Sequence, residues 1–180
     1  MRAPRLLVVG GTAVAVVAAA ICIWLHAAAS TGNASAAVAQ FTDQGVTVTL
    51  AIKDRSGSHA TLEATFAPQH TGFHLYSIDL PATGVGGVGR PIRVTTQGAL
   101  RVVGPLTANT KVLMITLTGT SLVLPVYPDG PVTTDLPVEL DGSGSATVLV
   151  SYAACSSTTC LPPVTDHAVT LKVNYLGVSG

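Results

Sequence analysis

From Val46 onward, the sequence is a series of short β-prone runs separated by turn residues, and this pattern constrains the fold more than any other feature. Residues 46–52 alternate apolar and polar side chains, as expected for a strand with one buried face. No stretch after residue 40 keeps a helical period over three turns. Many short strands separated by turns predict an all-β sandwich or barrel. The predicted strands cover residues 46–52, 60–66, 73–80, 92–96, 100–103, 112–117, 122–126, 132–140, 147–153 and 169–175.

Proline and glycine residues predict three further details. Pro137 lacks a backbone N–H donor, so the strand that contains it is expected at an edge or at a bulge. Residues 141–144 have the composition of a hairpin turn between two strands. Residues 84–89 match G-x-G-x-x-G, but Arg90 and Pro91 follow where a dinucleotide site requires a helix. We therefore expect a mobile surface loop there, and no cofactor.

The N-terminal residues predict export. Arg2 and Arg5 precede an uncharged run, residues 6–25, whose 20 residues are long enough as a helix to cross a bilayer. The arginines are expected to stay in the cytoplasm, which leaves everything after the run outside. The small residues at positions 27–29 suit a signal peptidase. Residues 1–29 are therefore expected to be a signal anchor or a cleaved signal peptide, and the protein is expected in the cell envelope outside the cytoplasmic membrane, either anchored or secreted.

Residues 30–42 are small and polar, which predicts a flexible linker, and residues 43–178 form the predicted domain. The whole chain has nine Lys and Arg against nine Asp and Glu, and neither sign forms a run. A nucleic-acid interface needs a basic stripe, and a polybasic membrane patch needs a similar cluster. The charge pattern therefore excludes both kinds of partner.

The chain contains three cysteines, and two of them, Cys155 and Cys160, lie in the predicted domain. Cys22 lies in the apolar run and is expected to be buried there. Four polar residues between Cys155 and Cys160 let the chain reverse, which brings the two α-carbons to roughly the 5.5 Å of a disulfide. A loop this short removes little unfolded-state entropy, so the pair is easier to explain as redox-active than as a brace. The alternative, a structural disulfide that braces a hairpin, is left open by the sequence.

The residues around the cysteines resemble a known family. Residues 152–155 (Tyr-Ala-Ala-Cys) and 160–165 (Cys-Leu-Pro-Pro-Val-Thr) resemble the N-terminal periplasmic domain of the bacterial thiol:disulfide interchange protein DsbD. Residues 70–80, with a Gly-aromatic-x-Leu-Tyr core, and residues 127–131 are similar to two other parts of that domain. The resemblance covers about residues 46–175, but four residues separate the cysteines here and five do so in the best-known member.

The resemblance implies an immunoglobulin-like sandwich that exchanges thiols and disulfides through Cys155 and Cys160, with no cofactor and no metal. Because the sequence has at most one hydrophobic segment, electrons are expected from a separate membrane electron-transfer protein. Thioredoxin-like or other oxidised exported proteins are expected to receive them through mixed disulfides. A cap loop around residues 127–130 is expected to shield the pair. The residues expected to line or cap the site are Tyr76, Tyr127, Pro128, Asp129, Tyr152 and Pro162.

Two other hypotheses remain open on the sequence. The first is a non-enzymatic immunoglobulin-like binding module with a structural disulfide, which would contact a partner through residues 84–89 or an edge strand. The second is a metal chaperone that uses His70 and His74, which share one face of a strand, together with Met114 and the thiols. The ease with which the disulfide is reduced separates the exchange protein from the binding module.

Overall fold

The computed structural model describes residues 36–174 and 177–180, and every regular element in this part of the chain is a β-strand. The strands are β1 (Ala36–Asp43), β2 (Val46–Ser56), β3 (His59–Pro68), β4 (His74–Leu75), β5 (Arg93–Gly98), β6 (Leu100–Val102), β7 (Thr107–Ala108), β8 (Leu113–Thr116), β9 (Val123–Val126), β10 (Val132–Leu140), β11 (Gly144–Tyr152), β12 (Ala154–Cys155), β13 (Val164–Asn174) and β14 (Gly177–Ser179).

Two antiparallel sheets and two short strand pairs make up the fold. The larger sheet has the order β1-β2-β3-β10-β6, and β7 also pairs with β10. The smaller sheet has the order β14-β13-β11-β5, while β12 pairs with β4 and β8 pairs with β9. This is a curled all-β sandwich of the immunoglobulin-like kind, so the predicted fold class is confirmed.

The inward faces of β10 and β11 show how the sequence builds the core. In β10 every second residue from Val132 to Leu140 is buried, and in β11 Ala146, Val148 and Val150 are buried. A period of two follows from strand geometry. Apart from Thr134, these side chains belong to one apolar core, to which each fully buried aliphatic side chain contributes about 1.5–3 kcal/mol.

Strand β1 lies where the sequence predicted a flexible linker over residues 30–42. It pairs antiparallel with β2 through Gln44 and Gly45, whose φ angles of 44° and 70° are positive, as in a type I′ hairpin turn. Phe41 stacks on His167 of β13, with ring centroids 3.9 Å apart. The linker prediction is wrong for this strand because pairing with β2 and a contact with a distant strand outweigh the weak β-propensity of its alanines.

Strand β10 is an interior strand, so the expectation of an edge or bulged strand is wrong. It pairs with β3 on one side, and β7 and β6 pair with it one after the other on the other side. Pro137 falls between Asp135, which pairs with β7, and Val138, which pairs with β6. Its missing donor therefore lies where the neighbouring strands are interrupted.

Residues 141–144 do not form a hairpin, because the strands that they join belong to different sheets. The Asp141 amide donates to the Ala99 carbonyl at 3.0 Å, and Gly142 has a φ of 75°. Strand β11 pairs with β5 and β13 instead of β10. Crossing between the sheets lets both β10 and β11 turn their apolar faces to the same core.

The strand predicted over residues 73–80 is shorter than expected. His74 and Leu75 form β4, Tyr76 adds an isolated antiparallel bridge to Val126, and residues 78 and 79 form a turn. Ser77 Oγ then accepts a hydrogen bond from the Asp79 amide at 3.1 Å, which favours a turn over a continued strand.

The predicted signal segment, residues 1–29 with Cys22, and the first part of the linker lie outside the described residues. Among the residues that the structure describes, no helix is long and apolar enough to cross a membrane. The domain boundaries at residues 43 and 178 stay predictions, although β1 and β14 extend the paired strands on both sides.

Candidate functional site

The two cysteines close a tight hairpin. Cys155 ends β12, and its disulfide to Cys160 holds the two α-carbons 4.0 Å apart, closer than the expected 5.5 Å. The Ser156 amide donates to the Thr159 carbonyl at 2.7 Å, and Ser156 Oγ accepts the amides of Thr158 and Thr159 at 3.2 Å and 3.1 Å. Hydrogen bonds within the loop thus stabilise the chain reversal that the spacing of the cysteines predicted.

The two halves of the disulfide differ in burial. Cys155 is 3% exposed, whereas Cys160 is exposed. Cys155 lies in an apolar cluster separate from the main core, which we call the Cys155 cluster. Its buried members are Tyr76, Leu80, Leu124, Val126, Ala153 and Cys155. A partner in solution therefore has access to Cys160 but not to Cys155.

Tyr76 supplies the polar contact to the buried sulfur. Its hydroxyl lies 3.2 Å from Cys155 Sγ. Burial raises the pKa of Tyr76, so the phenol keeps its proton. A disulfide sulfur carries no proton, and the phenol is therefore the donor of this hydrogen bond.

The β8–β9 hairpin covers the Cys155 cluster. Leu124 and Val126 of β9 are buried in the cluster, and Ile115 of β8 packs against it. The opposite face of the hairpin exposes Met114 and Val123 to solvent. The hairpin is therefore amphipathic, with its inner face on the buried half of the disulfide.

The glycine-rich segment 84–89 is a second, smaller hairpin on the same cluster. The amides and carbonyls of Val85 and Val88 exchange two hydrogen bonds of 3.0 Å. Gly86 and Gly87 between them have φ angles of 59° and 77°, as a type I′ turn requires. Both valines pack against the Cys155 cluster. The G-x-G-x-x-G spacing thus follows from a tight turn.

The last glycine of this segment allows close approach to the site. A Cβ atom on Gly89 would lie 2.9 Å from the Tyr76 ring, and the residue has a φ of 86°. A cleft of about 360 Å³ opens between this hairpin and the disulfide. Arg90 lines the cleft on one side, and Cys160 and Pro163 line it on the other.

Of the residues expected to line the site, Tyr76 contacts Cys155 directly. Tyr127 belongs to the main core, where its hydroxyl accepts the Ile78 amide at 3.2 Å. Tyr152 also belongs to the main core and donates to the Asp43 carbonyl at 2.8 Å. Both tyrosines are buried, and their part in lining or capping the site stays a prediction.

Three further residues were expected at the site. Pro128 and Asp129 are exposed and border a depression beside His74, and Asp129 also lines a depression with Ser156 and Ser157 of the cysteine loop. Pro162 is exposed too, and the cleft is lined by its neighbours Leu161 and Pro163 instead.

The residues of the metal hypothesis do not gather. The His70 ring packs near Phe73, with centroids 6.0 Å apart, and Met114 lies on the outer face of the β8–β9 hairpin. His74 pairs with Cys155 across β4 and β12. Within residues 36–174 and 177–180, no group of three or more His, Cys, Asp or Glu side chains is placed to hold a metal ion.

The sequence reasoning predicted the two strands of the β8–β9 hairpin but not that they cover Cys155, and it missed the smaller hairpin. A signal for the smaller one was present, because Gly-Gly between two valines is typical of a type I′ turn. No local signal marks the β8–β9 hairpin as a cover, since its partner residues in the Cys155 cluster lie about 30 to 50 positions away in the sequence.

No family model matches the chain, and no curated protein sequence matches it. Among solved structures, the N-terminal periplasmic domain of ScsB from Proteus mirabilis aligns with a TM-score of 0.53 and 12% identity, covering 79% of this chain and 53% of that chain. The two domains share a fold. The chain thus spans about half the length of that ScsB structure, and the resemblance found in the sequence is confirmed at the level of the fold.

Two other solved structures align less well than the ScsB domain. The DsbD N-terminal domain from Neisseria meningitidis, in the reduced form, has a TM-score of 0.44 and 13% identity, covering 73% of this chain and 86% of that chain. The GAE domain of GGA2p from Saccharomyces cerevisiae has a TM-score of 0.34 and 9% identity, covering 75% of this chain and 96% of that chain.

Proposed function

We propose that this chain is a thiol–disulfide exchange protein of the cell envelope, with Cys155 and Cys160 as its redox couple. The observation that carries the proposal is the asymmetry of the pair: an exposed Cys160 is bonded to a buried Cys155 whose sulfur accepts a hydrogen bond from Tyr76. A shared fold does not by itself imply a shared activity. The similarity to the ScsB structure supports the proposed location in the cell envelope, because that structure is a periplasmic domain.

The asymmetry assigns a role to each sulfur. A partner thiolate attacks Cys160 Sγ, which is the accessible sulfur, and forms a mixed disulfide with it. The Cys155–Cys160 bond breaks, and Cys155 leaves as a thiolate. The Tyr76 hydroxyl then donates to an anionic sulfur, and hydrogen bonds to charged acceptors are stronger than those to neutral ones. A second thiol on the partner releases Cys160 and completes the reduction.

The reverse sequence passes the electrons on. The Cys160 thiolate attacks the disulfide of an oxidised exported protein, and Cys155 then attacks Cys160 Sγ in the mixed disulfide to restore the bond. A separate membrane electron-transfer protein is the proposed donor, and thioredoxin-like or other oxidised exported proteins are the proposed acceptors. Neither step requires a cofactor.

A second candidate function is a binding module with a structural disulfide. The outer face of the β8–β9 hairpin favours it, because Met114 and Val123 are exposed apolar side chains. The two functions differ in how easily the disulfide is reduced, since structural disulfides resist the glutathione pool.

The reduction potential of the pair tests the proposal. The full chain is equilibrated with defined glutathione or dithiothreitol buffers, and free thiols are trapped and counted. A potential between about −180 and −270 mV lies in the range of exchange proteins and supports the redox function. A potential below about −300 mV marks a structural disulfide and favours the binding module instead.

A further inference from the structure

One ionisable side chain beside the disulfide has no part in the exchange steps above. In the β4–β12 pair, His74 lies directly opposite Cys155. Residues opposite each other in an antiparallel pair project their side chains to the same face. The His74 ring also meets the Tyr76 ring edge-on, with centroids 5.9 Å apart. The imidazole thus lies beside the phenol that is hydrogen-bonded to Cys155 Sγ.

The polar atoms of His74 are poorly satisfied. Its side chain is 12% exposed, and its Nδ1 is 3.8 Å from Asp129 Oδ1, which is too long for a strong hydrogen bond. Its Nε2 is buried and has no hydrogen-bond partner in the described part of the chain. A buried polar atom without a partner destabilises the fold, so its retention calls for an explanation.

Burial also determines the protonation of His74 in the disulfide form. Desolvation lowers the pKa of the imidazole, and the Asp129 carboxylate opposes this in part. The ring is therefore neutral at neutral pH and has a free site for a proton.

We propose that His74 takes up a proton when the Cys155–Cys160 disulfide is reduced, and that the resulting imidazolium holds Cys155 as a thiolate. The inference rests on the proposed exchange function and adds to it. Reduction by a partner dithiol delivers two electrons and two protons to the pair. The S–S bond breaks, one proton goes to Cys160 Sγ, the other goes to His74, and the negative charge stays on Cys155 Sγ. Reoxidation returns both protons.

The surroundings of His74 favour this charge state once the bond is broken. The titratable groups that face it are Asp129 after β9, Cys155 on β12, Tyr76 on its own segment and Tyr127. The β8–β9 hairpin contributes only apolar and hydroxyl side chains there. Asp129 already favours the imidazolium, and a thiolate on Cys155 adds a second negative charge. Cysteine–histidine ion pairs of this kind keep thiolates ionised well below their usual range.

The ultraviolet absorbance of thiolate tests the inference directly. The full chain is reduced with a phosphine, and its thiolate absorbance is followed from about pH 5 to about pH 9. The wild-type protein should keep one thiolate at least about one pH unit below the ordinary thiol midpoint of about 8.5. In His74→Phe and His74→Gln the midpoint should rise by about one unit, a roughly tenfold loss of thiolate near neutral pH.

The control is His70→Phe, which removes an exposed histidine four residues earlier and should leave the midpoint unchanged. Nuclear magnetic resonance of the wild-type protein gives a second readout that needs no variant. The His74 ring should change from neutral to charged on reduction at neutral pH, whereas the His70 ring should not. Equal thiolate midpoints in wild type and both His74 variants, or a His74 ring that stays neutral on reduction, would overturn the inference.

Failure of the exchange function has a different signature. A reduction potential in the range of structural disulfides would contradict the proposed function whatever His74 does. Phosphine reduction still exposes the thiolate in that case, so the titration reports on His74 separately. A reduction potential in the range of exchange proteins, together with unchanged thiolate midpoints in the His74 variants, would contradict the His74 inference alone.

Discussion

Replacing Tyr76 with phenylalanine removes a single hydroxyl, and the structure sets the size of the effect. The ring keeps its place in the Cys155 cluster, and within the described part of the chain the only polar contact that is lost is the 3.2 Å hydrogen bond to Cys155 Sγ. A hydrogen bond to a charged acceptor contributes about 1.5–3 kcal/mol, and one to a neutral acceptor about 1 kcal/mol. Breaking the disulfide turns the neutral sulfur into a thiolate, so the hydroxyl favours the reduced form by about 1 kcal/mol.

That difference predicts how Tyr76→Phe exchanges thiols. One kcal/mol corresponds to about a fivefold slower attack by dithiothreitol on the disulfide, because the leaving thiolate is less stabilised. The reduction potential should fall by about 20 mV, since the reduced form loses the same stabilisation. Stopped-flow reduction and redox-buffer titration measure the two quantities.

The matched control is Tyr127→Phe, which also removes a buried hydroxyl with one hydrogen bond but leaves the sulfur untouched. It should cost stability without changing the exchange rate or the potential. If both variants exchange at the wild-type rate, the phenol does not stabilise the leaving thiolate. If both slow equally, the effect comes from loosened packing.

Two further predictions use matched pairs of variants. Cys155→Ser should trap a stable mixed disulfide with oxidised glutathione through Cys160, whereas Cys160→Ser should form at least tenfold less of this mixed disulfide because its remaining thiol, on Cys155, is buried. Mass spectrometry of the intact protein measures both, and equal trapping would contradict the assigned roles. Gly89→Ala should lower the free energy of unfolding by about 1–3 kcal/mol, because its Cβ meets an aromatic ring at 2.9 Å. Gly87→Ala, where a Cβ meets nothing within 4 Å, should cost less in the same chemical denaturation, and equal losses would leave only the positive φ as the cause.

Strand assignment depended on how local the signal was. The period of two predicted β10 at its observed bounds, Val132–Leu140, because the alternation between buried and less buried side chains follows from the order of consecutive residues. The same approach failed for β1, whose alanines carry no such pattern and which pairs with β2 and stacks Phe41 on His167. It also failed for residues 141–144, because their composition suits a turn without indicating which sheet each flanking strand joins.

Some features of the site could be predicted from nearby residues, and others could not. The spacing of the cysteines predicted a reversal between them, and residues 156–159 close it with their own hydrogen bonds. The resemblance placed Tyr76 near the pair, where its hydroxyl meets Cys155. It also placed Tyr127 and Tyr152 there, but both are buried in the main core. An aromatic side chain packs in whichever apolar region the chain topology brings to it, and sequence position alone does not specify that region.

The sequence by itself determined the β-rich architecture and the short loop between the cysteines, because both follow from residue types within a few positions of one another. Only the tertiary structure decided that Cys155 is buried and Cys160 is exposed, and that His74 lies opposite Cys155. Those relations arise when β4, β8 and β9 pack around β12 from positions far away in the chain. Burial and neighbouring charge control thiol chemistry, so the chemical character of the pair is a property of the packed domain.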